Sequence, residues 1–449
     1  LRVVVLKTNP YWPFSRCNRW PYALAVRALR RSFRKCPEIR ALWIWHDRWI
    51  PGLSDIDVTV LIRRGLTAEE GYAFLVSFWR RFDRLRRVFP MIEAKLIEEE
   101  ELPLWLRYAN SGHPGQTPVF LRGNAELRHL SPGREFALAY ALWVHMDLLP
   151  PCHAISNSFL RRHDIERRVR KILRLLETGA APEIPDGILA MEAAVGSLDA
   201  GPADRDGEQW ADHCECEPCG LPLPACIRAV LRGGSGQVLA IVEDGLDREQ
   251  LRFLVDLAQR YWGQEADQTA VLPERVFSFL LRRINPYLYT ELRSSRILLS
   301  GDDPLPGIAP PSREAFAAAT LGRVSHVLTF LRGEHLFSRP LDLAEMASAL
   351  DRAMAVILLL RDRWVSVRRR ELGKHWKQEF PDCSEVWEQV QREAAEGRAE
   401  LARKSFFLLF YRLVRDIVAL SPPENSVGEP RTPDWVPGNP LPGSAEARP

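Results

Sequence analysis

The feature that most constrains this chain is the run Asp55-Ile56-Asp57-Val58-Thr59-Val60-Leu61-Ile62, with the turn formers Pro51-Gly52 just ahead of it. Apolar and β-branched residues dominate the run, so it reads as a buried strand entered from a turn. Side chains alternate faces along a strand, so Asp55 and Asp57 project together while Ile56 and Val58 enter the core. Two carboxylates held side by side repel one another, and the pairing makes physical sense where divalent cations lie between them. Mg²⁺ or Mn²⁺, hard ions that take oxygen ligands, suit such a pair.

The neighbouring segments extend the pattern. Trp20 to Lys35 reads as an amphipathic helix, with Tyr22, Ala25, Val26 and Leu29 interleaved with Arg27, Arg30 and Arg31. Ile39 to Trp45 reads as a short buried strand and Trp49 to Leu53 as a turn. Thr67, followed by Glu69 and Glu70, is a helix start, and Ala73, Phe74, Phe78, Phe82 and Leu85 continue at helical spacing. Pro90 ends that connection, and Met91 to Ile97 reads as a third strand. The order is helix, strand, turn, strand, helix, strand.

This arrangement resembles the nucleotidyltransferase superfamily, the family of DNA polymerase beta-like transferases. Pro51-Gly52-Leu53-Ser54-Asp55-Ile56-Asp57 is similar to its aspartate motif, and the resemblance covers residues 20 to 130. It extends weakly to Ser295 to Asp303, similar to a segment in the helical companions of such domains. The resemblance implies transfer of a nucleoside monophosphate from an NTP to a hydroxyl acceptor: a small molecule, a protein or RNA. It implies Asp55 and Asp57 as metal ligands and Glu93, on the later strand, as the third carboxylate. Glu93 would also help accept the acceptor's proton, and Lys95, on the same face, would contact phosphate. The family also carries a Gly-Ser pair about ten residues ahead of the aspartates, which holds the triphosphate. The stretch Ala41 to Trp49 here has neither Gly nor Ser, and bulky Trp residues keep a backbone from approaching phosphates. Ser54, Arg48 and Lys95 are then the residues left to meet the nucleotide. The alternative is a catalytically silent member serving as a binding or regulatory scaffold.

From Leu102 onward the pattern turns helical, most clearly over Glu135 to Leu149 and Asp164 to Glu177. A polar stretch, Gly196 to Gln209, leads to a Cys-rich patch. Then come a strand at Gln237 to Val242, a helix at Asp247 to Tyr261 and a strand at Thr269 to Leu272. Arg313 to Leu420 reads as a helical bundle, and the Pro-dense tail from Ser421 to Pro449 as disordered. The expected fold is therefore an α/β (α+β) N-terminal domain with a mixed sheet, followed by a largely α-helical C-terminal region. Its segments are 1–130, a helical 131–195, an α/β element with a Cys-containing insert at 196–310, helices at 311–420, and the tail at 421–449. Val58 to Glu69 aligns without a gap on Val238 to Glu249, each reading strand, Gly-Leu turn, capped helix. One match is not a repeat series, so it reads as a common unit met twice, with a degenerate second copy as the alternative. In such a copy Gln237 stands in the place of Asp57.

Three further features carry weaker signals. Cys214, Cys216, Cys219 and Cys226 offer four thiolates for Zn²⁺, but their spacing matches no paired knuckle, and they read as reduced thiols in an inserted loop. Arg161 to Arg174 is rich in arginine; with Ile165, Val169, Ile172, Leu173 and Leu176 opposite, the arginines read as a solvated face. Gly233-Gly-Ser-Gly236 precedes a strand instead of joining strand to helix, so it does not read as a phosphate loop. A net charge of +3 over 449 residues argues neither for nor against nucleic acid. The most apolar stretch, Ala353 to Leu360, is far short of the ~20 residues of a membrane helix. Clustered cysteines and the lack of a leader-like start suggest the cytoplasm, with no membrane partner and the helical region as a surface for a protein partner.

Overall fold

The computed structural model describes residues 14–45, 55–109, 118–125, 127, 134–146, 148, 158–176, 178, 183–198, 214–216, 223–233, 236–262, 269–361 and 379–421. The architecture is mixed α/β with a helical C-terminal part. Two compact units divide it: a continuous one within Ser131–Ala319, and a split one formed by Thr8–Leu130 together with Thr320–Pro449. No described helix is long and apolar enough to cross a membrane.

The split unit begins with α1 (Phe14–Phe33), which starts earlier than the sequence suggests and runs through Pro21, at the loss of one backbone hydrogen bond. β1 (Ile39–Ile44), β2 (Ile56–Ile62), α2 (Ala68–Val88), β3 (Ile92–Glu98), α3 (Leu102–Ala109) and β4 (Val119–Arg122) follow. The sheet order is β3-β2-β1-β4. β1 runs antiparallel to β2 and to β4, and β2 runs parallel to β3 across α2. α2 starts where Thr67 and Glu70 cap reciprocally: the Thr67 hydroxyl accepts from the Glu70 N–H, and the Glu70 carboxylate from the Thr67 N–H.

The continuous unit contains α4 (Arg134–Met146), α5 (Ser158–Leu175), α6 (Ile184–Gly196), β5 (Cys214–Cys216), β6 (Ile227–Arg232), β7 (Val238–Val242), α7 (Arg248–Tyr261), β8 (Thr269–Pro273), α8 (Glu274–Phe279), α9 (Pro286–Ser295) and β9 (Arg296–Gly301). Its sheet order is β5-β9-β6-β7-β8. With β5 set aside, this is the other sheet built again. β6 and β7 are antiparallel, β7 and β8 parallel, and β6 and β9 antiparallel. The irregularities coincide as well. The β1–β2 ladder slips between Ile39 and Ala41, and the β6–β7 ladder between Ile227 and Ala229; both strands open with the same Ile-Arg-Ala tripeptide. Gly65 and Gly245 both take positive φ (82° and 75°) ahead of capped helices. Gly123 and Gly301, also at positive φ, lie against the Arg40 and Arg228 carbonyls, where a Cβ would sit 2.2 and 2.0 Å away. Gln237, just before β7, stands where Asp57 stands in β2.

α10 (Arg313–Gly322) spans the boundary between the units. Then α11 (Val324–Phe330), α12 (Glu334–Phe337), α13 (Leu343–Leu360), α14 (Pro381–Ala395) and α15 (Ala399–Leu420) return to the split unit. Sequence periodicity suggested a separate bundle here, but these helices share one core with the N-terminal sheet. Phe407 of α15 lies 5.4 Å from the Tyr72 ring of α2. The Trp79 indole of α2 donates to the Arg332 carbonyl at 2.9 Å, and buried Arg332 grips Glu101 with both guanidinium arms at 2.7 and 2.8 Å. The expected disordered tail lies outside the described residues.

Candidate functional site

The site follows from the β2–β3 register. The Ile56 N–H donates to the Met91 carbonyl, which sets the parallel ladder so that Asp57 pairs with Glu93 and Thr59 with Lys95. Paired residues on adjacent strands point to the same face, so Asp57 and Glu93 are lateral neighbours, with Asp55 just before the strand. Burial, then Asp55 and Asp57, push the Glu93 carboxyl up to about 6, with Lys95 opposing and Glu334 adding to the rise. The upward direction is what two like charges on one face dictate. Because the Glu93 surface is still open to water, solvent screens part of the burial contribution.

Below these carboxylates the floor is aromatic. The Trp45 indole donates to the Thr59 hydroxyl at 2.9 Å. Trp45 also packs against Trp43 and Trp105, with ring centroids 6.1 and 5.9 Å apart. Trp43, Ile44 and Trp45 are each at most 2% exposed. The strand that would present a Gly-Ser pair in the resembled family is here a core strand up to Trp45. Residues 46–54, with Arg48 and Ser54, lie outside the described residues.

Sequence reading missed the far wall. α11 packs on β3 and α13, bringing Arg323, His326 and Arg352 toward Lys95. His326 is held below the usual histidine range by burial first, then by Arg352, Arg323 and Lys95. Glu93 and His326 are both exposed. Asp55, Asp57 and Glu93 form an anionic group, and Lys95, Arg323 and Arg352 are the cations grouped about His326. No pattern in residues 320–352 announces this; only packing against β3 assembles it.

The oxygen donors fit a hard divalent cation, because bringing one between mutually repelling carboxylates relieves their repulsion. Among the described residues, though, no group of three His, Cys, Asp or Glu side chains is close enough to hold a metal ion. The cysteines divide similarly. Cys214 and Cys216 are exposed on β5 and Cys226 is half-buried, all as free thiols, while Cys219 lies outside the described residues. The α5 arginines bear out their reading as a solvated face. Arg167 and Arg168 pair with Asp164, and Arg162 with Glu166. Gly233 to Gly236 closes the β6–β7 hairpin, with the Gly233 N–H donating to the Gln237 carbonyl at 2.9 Å. Compared with known proteins, the chain matches no family model, no curated protein and no solved structure.

Proposed function

We propose that the chain transfers a nucleotidyl group from an NTP to a hydroxyl acceptor, with Mg²⁺ or Mn²⁺. The observation that carries this reading is the pairing of Asp57 with Glu93 across parallel strands, with Asp55 close enough to raise the Glu93 carboxyl. Asp55 and Asp57, together with the substrate's phosphates, would hold the metal, whose chemistry is to activate a hydroxyl and stabilise a leaving pyrophosphate, while Glu93 stands beside them and not as a third ligand. Lys95, with Arg323 and Arg352 facing it, supplies positive charge where phosphates would lie. Glu93, with a raised pKa, is suited to take the acceptor's proton.

Calorimetry with Mn²⁺ and NTP tests this directly. Wild-type protein should bind NTP only with metal present, and Asp57→Asn should abolish that binding. Equal binding by both proteins would refute it. A second reading, a catalytically silent scaffold, is favoured by the buried Trp43-Ile44-Trp45 strand where a Gly-Ser turn belongs. It predicts no metal-dependent nucleotide binding by either protein.

A further inference from the structure

The outer surface of α1 and of the C-terminal half of α2 is strongly cationic. Residues 14 to 35 contain no Asp or Glu. Tyr22, Ala25, Leu29 and Phe33 bury one side of α1, and helical spacing sends Arg27, Arg31, Arg34 and Lys35 outward, with Arg30 flanking them. Trp20, 71% exposed, and Leu24, 49% exposed, lie on the same outward stripe. α2 packs beside α1, with Phe33 stacked on Phe78 at 4.7 Å. Its C-terminal half adds Arg80, Arg81, Arg84 and Arg87, all exposed. None of these nine cations has a carboxylate partner among the described residues, whereas Arg86, on the same helix, pairs with Asp83 and Glu334.

Between the two helices is a recess, lined by Phe33, Phe74 and Phe78 with Lys35, Arg81 and Glu38 at its rim. It lies where β1 begins, at the Ile39–Ile62 end of the sheet, while Asp57 and Glu93 mark the other end. Phe33, Phe74 and Phe78 are at most 8% exposed, so what the recess offers to a ligand is chiefly the polar groups around Lys35, Glu38 and Arg81.

We infer that this surface binds single-stranded nucleic acid. Unpaired cations in a row match a phosphodiester backbone, and the exposed Trp20 ring offers a platform on which a base stacks. A single strand is the better fit than a duplex, because exposed Trp20 can stack only on a base that is not already stacked in a helix. An anionic membrane is the poorer fit, because Trp20 and Leu24 are too little apolar area to lie in a bilayer interface. The inference concerns binding alone and stands whether or not the carboxylates carry chemistry.

Fluorescence anisotropy with a labelled oligouridine 20-mer tests it on the full chain. The wild type should bind with an affinity that falls steeply with salt, since each phosphate contact on a single strand contributes about −0.7 to the log–log slope. Arg27→Glu with Arg31→Glu and Arg84→Glu should weaken binding at least about a hundredfold and flatten the slope by about 2. Trp20→Ala, an exposed change that leaves the core intact, should weaken it about tenfold. Asp57→Asn should bind RNA as the wild type does, so failure of the transferase reading leaves this result untouched. Unchanged binding by the folded charge-reversal variant would overturn the inference, and a deoxythymidine 20-mer, bound equally or not, distinguishes the two sources of the strand. Retention by phosphatidylserine vesicles with no binding of either strand would also overturn it.

Discussion

Arg332 offers the sharpest test of how the split unit is joined. It is 1% exposed, grips Glu101 at 2.7 and 2.8 Å, and reaches Glu98 at 2.8 Å. Glu98 and Glu101 flank the end of β3, so one guanidinium ties the N-terminal sheet to the returning helices. Arg332→Met keeps the side-chain volume but leaves two buried carboxylates without their cation. Breaking a buried ion pair from one side costs about 3–5 kcal/mol. Burial raises the Glu101 carboxyl to about 7, with Arg332 lowering it and Glu98 raising it. Without Arg332 it rises further. A carboxyl whose folded pKa exceeds its unfolded value binds its proton more tightly in the folded state, so folding gains stability as pH falls from 7 toward 4.5. The variant's deficit should therefore be largest at neutral pH and shrink by pH 5. Hydrogen exchange of the β3 amides reports this unit alone, which suits a chain of two units where a global transition is not two-state. Adding Glu98→Leu and Glu101→Leu should recover most of the loss. A deficit below about 1 kcal/mol at pH 7 would refute the reasoning.

Other expected outcomes follow from single positions. His145 is fully buried, its Nε2 is 3.1 Å from the Val271 carbonyl, and burial holds it near pH 4 despite that bond. Its folded pKa lies below its unfolded one, so the unfolded chain takes up the proton first and stability falls as pH drops from about 6.5 to 4. That is about 2 kcal/mol lost by pH 5, and hydrogen exchange of β8 should show the dependence disappear in His145→Phe. Gly301→Ala forces a Cβ to 2.0 Å from the Arg228 carbonyl at a φ of +79°. It should cost the continuous unit at least about 2 kcal/mol, and a stability equal to wild type would show the β6–β9 register to be mistaken. Trp43→Gly with Ile44→Ser, which would write a Gly-Ser pair into β1, should instead cost about 4–6 kcal/mol of core packing and helpless chain entropy. Soluble, cooperatively folded double variant would contradict the burial of Trp43.

Much of the fold is written in local chemistry. The Thr67–Glu70 and Asp247–Gln250 capping boxes, the positive-φ turns at Gly65 and Gly245, and the two apolar strands that precede them need only residues near one another in sequence. That is why β2, α2, β3, β7, α7 and β8 were all legible, and why Asp55 and Asp57 could be placed on one face. Strand alternation is a short-range rule. Whether Glu93 neighbours Asp57 is not, because a one-residue slip would turn Glu93 away; the Ile56–Met91 hydrogen bond and the parallel ladder fix it. β4 and β9 escaped sequence reading because each gains its place from a ladder partner far along the chain, β1 and β6, and β6 is held between β7 and that distant β9. The division into units was equally hidden. Helical periodicity shows that α11 to α15 have an apolar face but not what covers it, and the answer, a sheet formed before residue 130, is a matter of packing. The same packing carries Arg323, His326 and Arg352 to Lys95. The sequence by itself determined the Asp55–Asp57 pair, through alternation along one strand. Arg323 and Arg352 were brought to the site only by tertiary structure, because they come from a helical region that no local rule connects to that strand.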